Sequence, residues 1–247
     1  MPAETAEQIE PIYHRPFLTA RWENLILVTY PVEPRLLQPR LPPGCELDTR
    51  DGSAFVSLVA FDFLKTRVFG LGWPGHRNFP EVNLRFYVRH GESRGVCFIR
   101  EFVPRRVIAN IARWFYNEPY RAAIMSSQIE QTETAITVQH RLRVGQSNNR
   151  LRVLAEKPAI RPAETSTEHF FKEHHWGFGI SRDGRCLRYR VEHPVWDIWP
   201  VREFDMQWDW ASVYGSAWGF LQDRKPISVV LACGSEVSVF PGQAAAR

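Results

Sequence analysis

Lysine is nearly missing from this chain of 247 residues: Lys65, Lys157, Lys172 and Lys225 are the whole supply, and arginine carries almost all of the positive charge. Chemistry that needs a neutral amine therefore has few places to reside. Guanidinium groups stay protonated and offer a planar fork of donors suited to carboxylate or phosphate. The net charge is only +4, with a pI near 9.0. Cysteine is also sparse. Cys45, Cys97, Cys186 and Cys233 stand singly, without metal-site spacing and without the density of a disulfide scaffold. Reduced, buried thiols in a cytoplasmic protein are expected. No apolar run approaches the ~18 residues of a membrane span, and the N-terminus lacks a basic-then-apolar signal pattern, so no membrane partner is expected. Glycine patterns for phosphate loops or dinucleotides are missing, as are Gly-x-Ser-x-Gly and His-Glu-x-x-His. His169, His174 and His175 lack metal-ligand spacing, and no metal or cofactor is implied.

What is present is a globular composition, 44% hydrophobic and 13% aromatic. No linker or repeat divides it, so a single domain over residues 16–242 is expected, between flexible segments 1–15 and 243–247. Most of the interior reads as strands. Residues 25–30 form a β-branched run stopped by Pro31, 53–63 form a second, and 82–88 alternate cleanly. Residues 90–95 turn into a strand over 96–102. Val107, Ile108, Ile111, Trp114 and Phe115 recur at helical spacing, and Asn117 and Pro119 end that helix. Further strands fall within 129–144 and 151–158, with Asn148-Asn149 as the tip between them. A short helix near 166–174 is capped by Thr165 or Ser166, and strands at 176–180 and 187–191 flank Asp183-Gly184. Residues 227–240 read as a strand pair broken at Gly234. The fold class is α+β, mainly antiparallel β, with a closed or nearly closed sheet.

The strand at 82–88 has one apolar face, Val82, Leu84, Phe86 and Val88. Its other face carries Glu81, Asn83, Arg85 and Tyr87, which either meets solvent or lines a cavity. His193 beside Trp196 is expected to be a hydrogen-bonded core histidine. Trp196, Trp199, Trp208, Trp210 and Trp218 lie among mainly acidic charges, which argues against a nucleic-acid groove and for core packing or a subunit interface.

Arg100-Glu101-Phe102-Val103-Pro104-Arg105-Arg106 resembles the segment of acetoacetate decarboxylase in which a Glu-containing strand end runs into Tyr-Pro-Lys-Lys. Whole-chain features carry a further likeness: Trp22-Glu23-Asn24-Leu25, Leu41-Pro42-Pro43-Gly44, 51–56, 79–88, Tyr116-Asn117-Glu118-Pro119-Tyr120 and Val191-Glu192-His193-Pro194-Val195-Trp196. On these the chain resembles the uncharacterised YqjF-like (DUF2071) family of the acetoacetate decarboxylase-like superfamily. That resemblance implies a β-barrel-like cone with a few flanking helices. It also implies that Glu81 keeps a site carboxylate, while the other site positions fall near Ser57 and near Glu23 or Arg21. Both reactive lysines read as arginine. Imine formation requires a nucleophilic amine, and the decarboxylase is itself the standard example of a lysine so activated; arginine in its place implies an anion clamp.

The expected function is the binding of a small anionic organic molecule in a barrel cavity, without Schiff-base chemistry. The candidate ligand-binding residues are Glu81, Asn83, Arg85, Tyr87, Arg105, Arg106, Asn117 and Tyr120. Two alternatives stay open: a lyase or isomerase acting on a keto or hydroxy acid by acid–base chemistry, and a non-catalytic scaffold. A homo-oligomer is compatible with either.

Overall fold

The computed structural model describes residues 15–105 and 119–245. The helix expected over 107–115, together with Arg106 and Asn117, lies outside the described residues, as do residues 1–14 of the N-terminal segment. In chain order the strands are β1 (Leu18–Val32), β2 (Glu46–Leu47), β3 (Ala54–Val68), β4 (Phe79–His90), β5 (Ser93–Val103), β6 (Tyr120–Ala122), β7 (Ile124–Gln131) and β8 (Ala135–Val144). They continue with β9 (Ser147–Glu156), β10 (Trp176–Ile180), β11 (Cys186–Glu192), β12 (Ile198–Trp199), β13 (Val201–Gln207), β14 (Ser228–Val239) and β15 (Gln243–Ala244).

Pairing runs β14–β1–β3–β4–β5–β10–β11 and returns from β11 to β14, so these strands form a ring. Every step is antiparallel except β5 to β10. A second, four-stranded sheet runs β13–β9–β8–β7. Its apolar residues Ile136, Val138, Leu142, Leu151, Val153 and Ala155 pack with Ile26, Val28, Leu58, Val82, Leu84, Phe86 and Val88 in one core. The apolar face of β4 is thus spent on the second sheet. Its polar face is left to line the inside of the ring.

Several local expectations change. Residues 228–239 form one strand, and Gly234, at φ 81°, bends it without ending it. The β8–β9 tip is Gly145-Gln146 rather than Asn148-Asn149. Asn149 instead braces that turn from within β9, its amide donating to the Leu142 carbonyl and its oxygen accepting from the Asp209 N–H. The stretch Pro34 to Leu41, whose sequence suits a short helix before the turn at Pro42-Pro43-Gly44, forms two single 3-10 turns instead. The short helix Thr167–Lys172 is capped by Ser166, whose hydroxyl accepts from the His169 N–H. Trp208, Trp210 and Trp218 are buried in the apolar core, and Trp196, also buried, packs in a second cluster with Trp22 and Phe61.

His140 on β8 is buried, and neither ring nitrogen has a partner among the described residues. Burial lowers its pKa to about 4, against an ordinary 6.5. A histidine pKa depressed by folding means that the unfolded chain binds the extra proton first, so stability is lost as pH falls below 6.5. At pH 5 the loss amounts to about 2 kcal/mol. His140→Leu is expected to abolish that part of the acid sensitivity, read as the difference in urea midpoint between pH 7 and pH 5. An unchanged difference would show that His140 does not govern it.

Candidate functional site

Inside the ring lies a cavity of about 390 Å³. That is within the range of small-molecule sites. Most of its wall is apolar, including Trp22, Leu25, Phe61, Phe63, Phe79, Phe98, Trp196 and Val239. The polar exceptions from β4, β5 and β6 are Glu81, Asn83, Arg85, Glu101 and Tyr120.

Glu81 is the centre of this group. Its Oε1 accepts from Asn83 Nδ2 at 3.1 Å and its Oε2 from the Tyr120 hydroxyl at 3.3 Å. Glu101, opposite Asn83 on β5, completes the cluster by hydrogen bonds to Glu81 and Tyr120. Burial pushes the Glu81 carboxyl up to about 7, against the partial relief of these hydrogen bonds. Burial, with the two carboxylates next, also holds the Tyr120 phenol well above its ordinary range. Near neutral pH, then, Glu81 sits close to half-protonated and can give or take a proton.

Arg85 lies further along β4. One of its terminal nitrogens donates to the Phe171 carbonyl at 2.8 Å, while its Nε is buried and has no partner among the described residues. His174 also lines the wall; its Nε2 donates to the Phe170 carbonyl at 2.9 Å, which leaves Nδ1 as an acceptor. Burial, then the charges of Arg85 and Arg94, keep His174 well below the usual imidazole range. Lys172, from the helix Thr167–Lys172, reaches the wall with a fully enclosed side chain held by Glu173. Burial lowers its pKa, opposed by that pairing. His193 stacks on Trp196 with ring centroids 4.1 Å apart, and one of its nitrogens faces the His174 carbonyl; rather than sitting wholly in the core, it too lines the cavity.

Of the candidates read from sequence, Glu81, Asn83, Arg85 and Tyr120 come together in the cavity wall. Tyr87 shares their face but is buried behind it, donating to the Phe171 carbonyl and bonded to Ser57, which in turn meets Thr29 at 2.6 Å. Arg105 is exposed just past the end of β5 and does not line the cavity. Glu23, the other position carried from the resemblance, is paired with Arg21. Glu101, Lys172 and His174 were not anticipated as wall residues. The reason for Glu101 is a bulge: Leu84 pairs with Arg100 but Arg85 with Phe98, so Ile99 is an extra residue. The bulge places Phe98 and Glu101, three apart, on the same inner face. Among the described residues no cluster of histidine, cysteine or acids is arranged to hold a metal. Nor is any helix there long and apolar enough to cross a membrane.

The profile of the DUF2071 family, described as an uncharacterized conserved protein, matches residues 19–236. The protein YqjF of Bacillus subtilis is 34% identical over 108 residues, a stretch covering 43% of this chain and 45% of that relative. Among solved structures, the enduracididine biosynthesis enzyme MppR complexed with pyruvate superposes with a TM-score of 0.66 at 15% identity, over 95% of this chain and 93% of the other. Acetoacetate decarboxylase of Legionella pneumophila gives 0.64 at 14% identity, over 98% and 93%. These likenesses show the acetoacetate decarboxylase-like fold.

Proposed function

The chain belongs to the DUF2071 family, and from that premise we propose that it binds a small organic acid inside the ring, with Arg85 meeting the carboxylate and Glu81 with Glu101 facing the rest of the molecule nearer the mouth. The observation that carries this reading is the convergence of Glu81, Asn83, Arg85, Glu101 and Tyr120 on an otherwise apolar cavity. A few placed polar groups in an apolar concavity are the usual signature of a small-molecule site. An interior filled by its aromatic side chains would have favoured a scaffold. Keto acids are the first compounds to test, since a neighbour of the same fold was solved with pyruvate.

A second reading is favoured by one observation, the paired acids. A carboxyl with a pKa raised to about 7, hydrogen-bonded to a second carboxyl and a phenol, is suited to moving a proton on a bound keto or hydroxy acid. Imine chemistry is not part of either reading. The strand-end positions that the decarboxylase fills with lysine are arginines here, and Lys172 is enclosed and bound to Glu173.

The test is a thermal-shift screen over small carboxylates and keto acids, followed by calorimetry on the best compound. Arg85→Ala is expected to weaken binding at least tenfold, the ~1.5 kcal/mol lower end for a hydrogen bond to a charged group. The distant Arg224→Ala serves as control, and Arg105→Ala asks whether the strand-end arginine contributes. Full affinity in Arg85→Ala would remove Arg85 from the reading.

A further inference from the structure

The rim of the cavity is apolar and open to water. Phe69, Leu71 and Trp73 are 62%, 65% and 56% exposed, yet all three line the cavity. Large apolar side chains clustered in the open mark a surface that something covers. The loop that carries them is held in place. The Phe69 N–H donates to the Phe17 carbonyl at 2.8 Å, Val68 and Leu71 exchange backbone hydrogen bonds, and the Lys65 N–H is held by the Asn78 side chain at 2.8 Å. Phe69 itself sits at φ 51°, a left-handed conformation that is unfavourable for a bulky residue. It packs edge-on against Phe17, with centroids 4.8 Å apart.

Depth along β4 orders the chemistry. Phe79 stands at the loop end of the strand and stacks on Phe63 at 4.9 Å. At the rise of a strand, Glu81 lies about 7 Å further in and Arg85 about 20 Å in. From the rim inward the wall is therefore aromatic first, then acidic and amide, then cationic against the Phe171 carbonyl. A small, wholly polar acid bound at Arg85 would leave the aromatic half of the cavity and its rim unused.

Resting on the organic-acid reading above, we infer that the ligand is an amphiphile: a carboxylic acid whose head group lies at Arg85, and whose alkyl or aryl tail runs out past the Glu81–Glu101 pair toward Phe69, Leu71 and Trp73. The rim belongs to the ligand site because it is continuous with the cavity wall. The tail covers the apolar surface that the loop exposes.

The experiment is calorimetry with straight-chain carboxylates from acetate to decanoate, each below its micellar concentration. Affinity is expected to rise about fourfold per methylene over the part of the series that fills the wall. The double variant Leu71→Ala/Trp73→Ala, which alters exposed side chains only, is expected to lose tenfold or more for decanoate and nothing for butyrate. Arg85→Ala is expected to weaken every member of the series by a similar factor. Acetate and butyrate binding as tightly as decanoate would overturn the amphiphile while leaving the organic-acid reading intact. Binding of no carboxylate at any length would overturn the reading beneath it. Decanoate binding that ignores Arg85→Ala, or a chain-length slope that ignores the rim variant, would place the tail elsewhere and discard the inference.

Discussion

Glu81→Gln is expected to make the protein more stable above pH 7, by up to about 3 kcal/mol, and to leave it nearly unchanged at pH 4.5. The sign follows from linkage. Burial raises the Glu81 pKa from 4.5 to about 7 in the fold. Between these values the folded protein holds a proton that the unfolded chain has released. Stability from this group is therefore complete at or below about pH 4.5, declines as pH rises, and levels off above 7. Glutamine mimics the protonated form: its oxygen can still accept from Asn83, its NH2 in the place of Oε2 can donate to the Tyr120 hydroxyl oxygen, and it carries no charge to desolvate. Urea midpoints of native and variant protein at pH 4.5, 6 and 8 supply the check. Parallel profiles would mean that Glu81 ionises freely in the folded state, and the proton-sharing role would fall with it. The same titration bears on binding, because Glu81 lines the cavity on the way to Arg85 and, once ionised, repels an entering anion. Affinity for an acid should decline through pH 7 in the native protein and stay flat in the variant.

The alternation on β4 was legible from the residues alone: period two separates Val82, Leu84, Phe86 and Val88 from Glu81, Asn83 and Arg85. Which face meets which interior was not. That depends on β8 and β9, some fifty residues further along, covering the apolar face. Glu101 was hidden for a different reason. Strict alternation groups Val96, Phe98 and Arg100, and the bulge at Ile99 breaks the grouping so that Glu101 joins the inner face. Bulges of this kind need no special residue, and nothing in Val96 to Val103 marks one. Lys172 arrives from the end of a short helix, and His174 from just beyond it, and the position of that segment against Arg85 and Tyr87 is purely tertiary. The resemblance carried a site carboxylate to Glu81, and Glu81 lines the cavity. The cationic side chains that line the cavity, however, include Arg85 and Lys172, while Arg105 is exposed.

The cavity wall also depends on a close backbone approach, and breaking it should have the largest effect of all. Gly234 lies opposite Glu23 on β1, next to the irregularity where the β1–β3 register shifts and Asn24 takes φ 56°. That shift turns Trp22 and Leu25, three residues apart, toward the same cavity. A Cβ at Gly234 would lie 2.0 Å from the Trp22 carbonyl oxygen and 2.7 Å from its carbon. Backbone cannot swing aside as a side-chain end can, so β14 must separate from β1. It would carry with it Ser235, whose hydroxyl accepts from Trp196 Nε1 at 2.8 Å. Gly234→Ala is therefore expected to cost more than 4 kcal/mol, in the exceptional range for a single substitution, or to prevent folding. Gly184→Ala separates the causes. It has nearly the same backbone, φ 79° against 81°, but nothing within 4 Å of the added carbon. It should cost only the left-handed penalty of about 1 kcal/mol. Equal losses in the two variants would mean that conformation alone sets the cost, and that the β1–β14 contact does not hold the tryptophan wall in place.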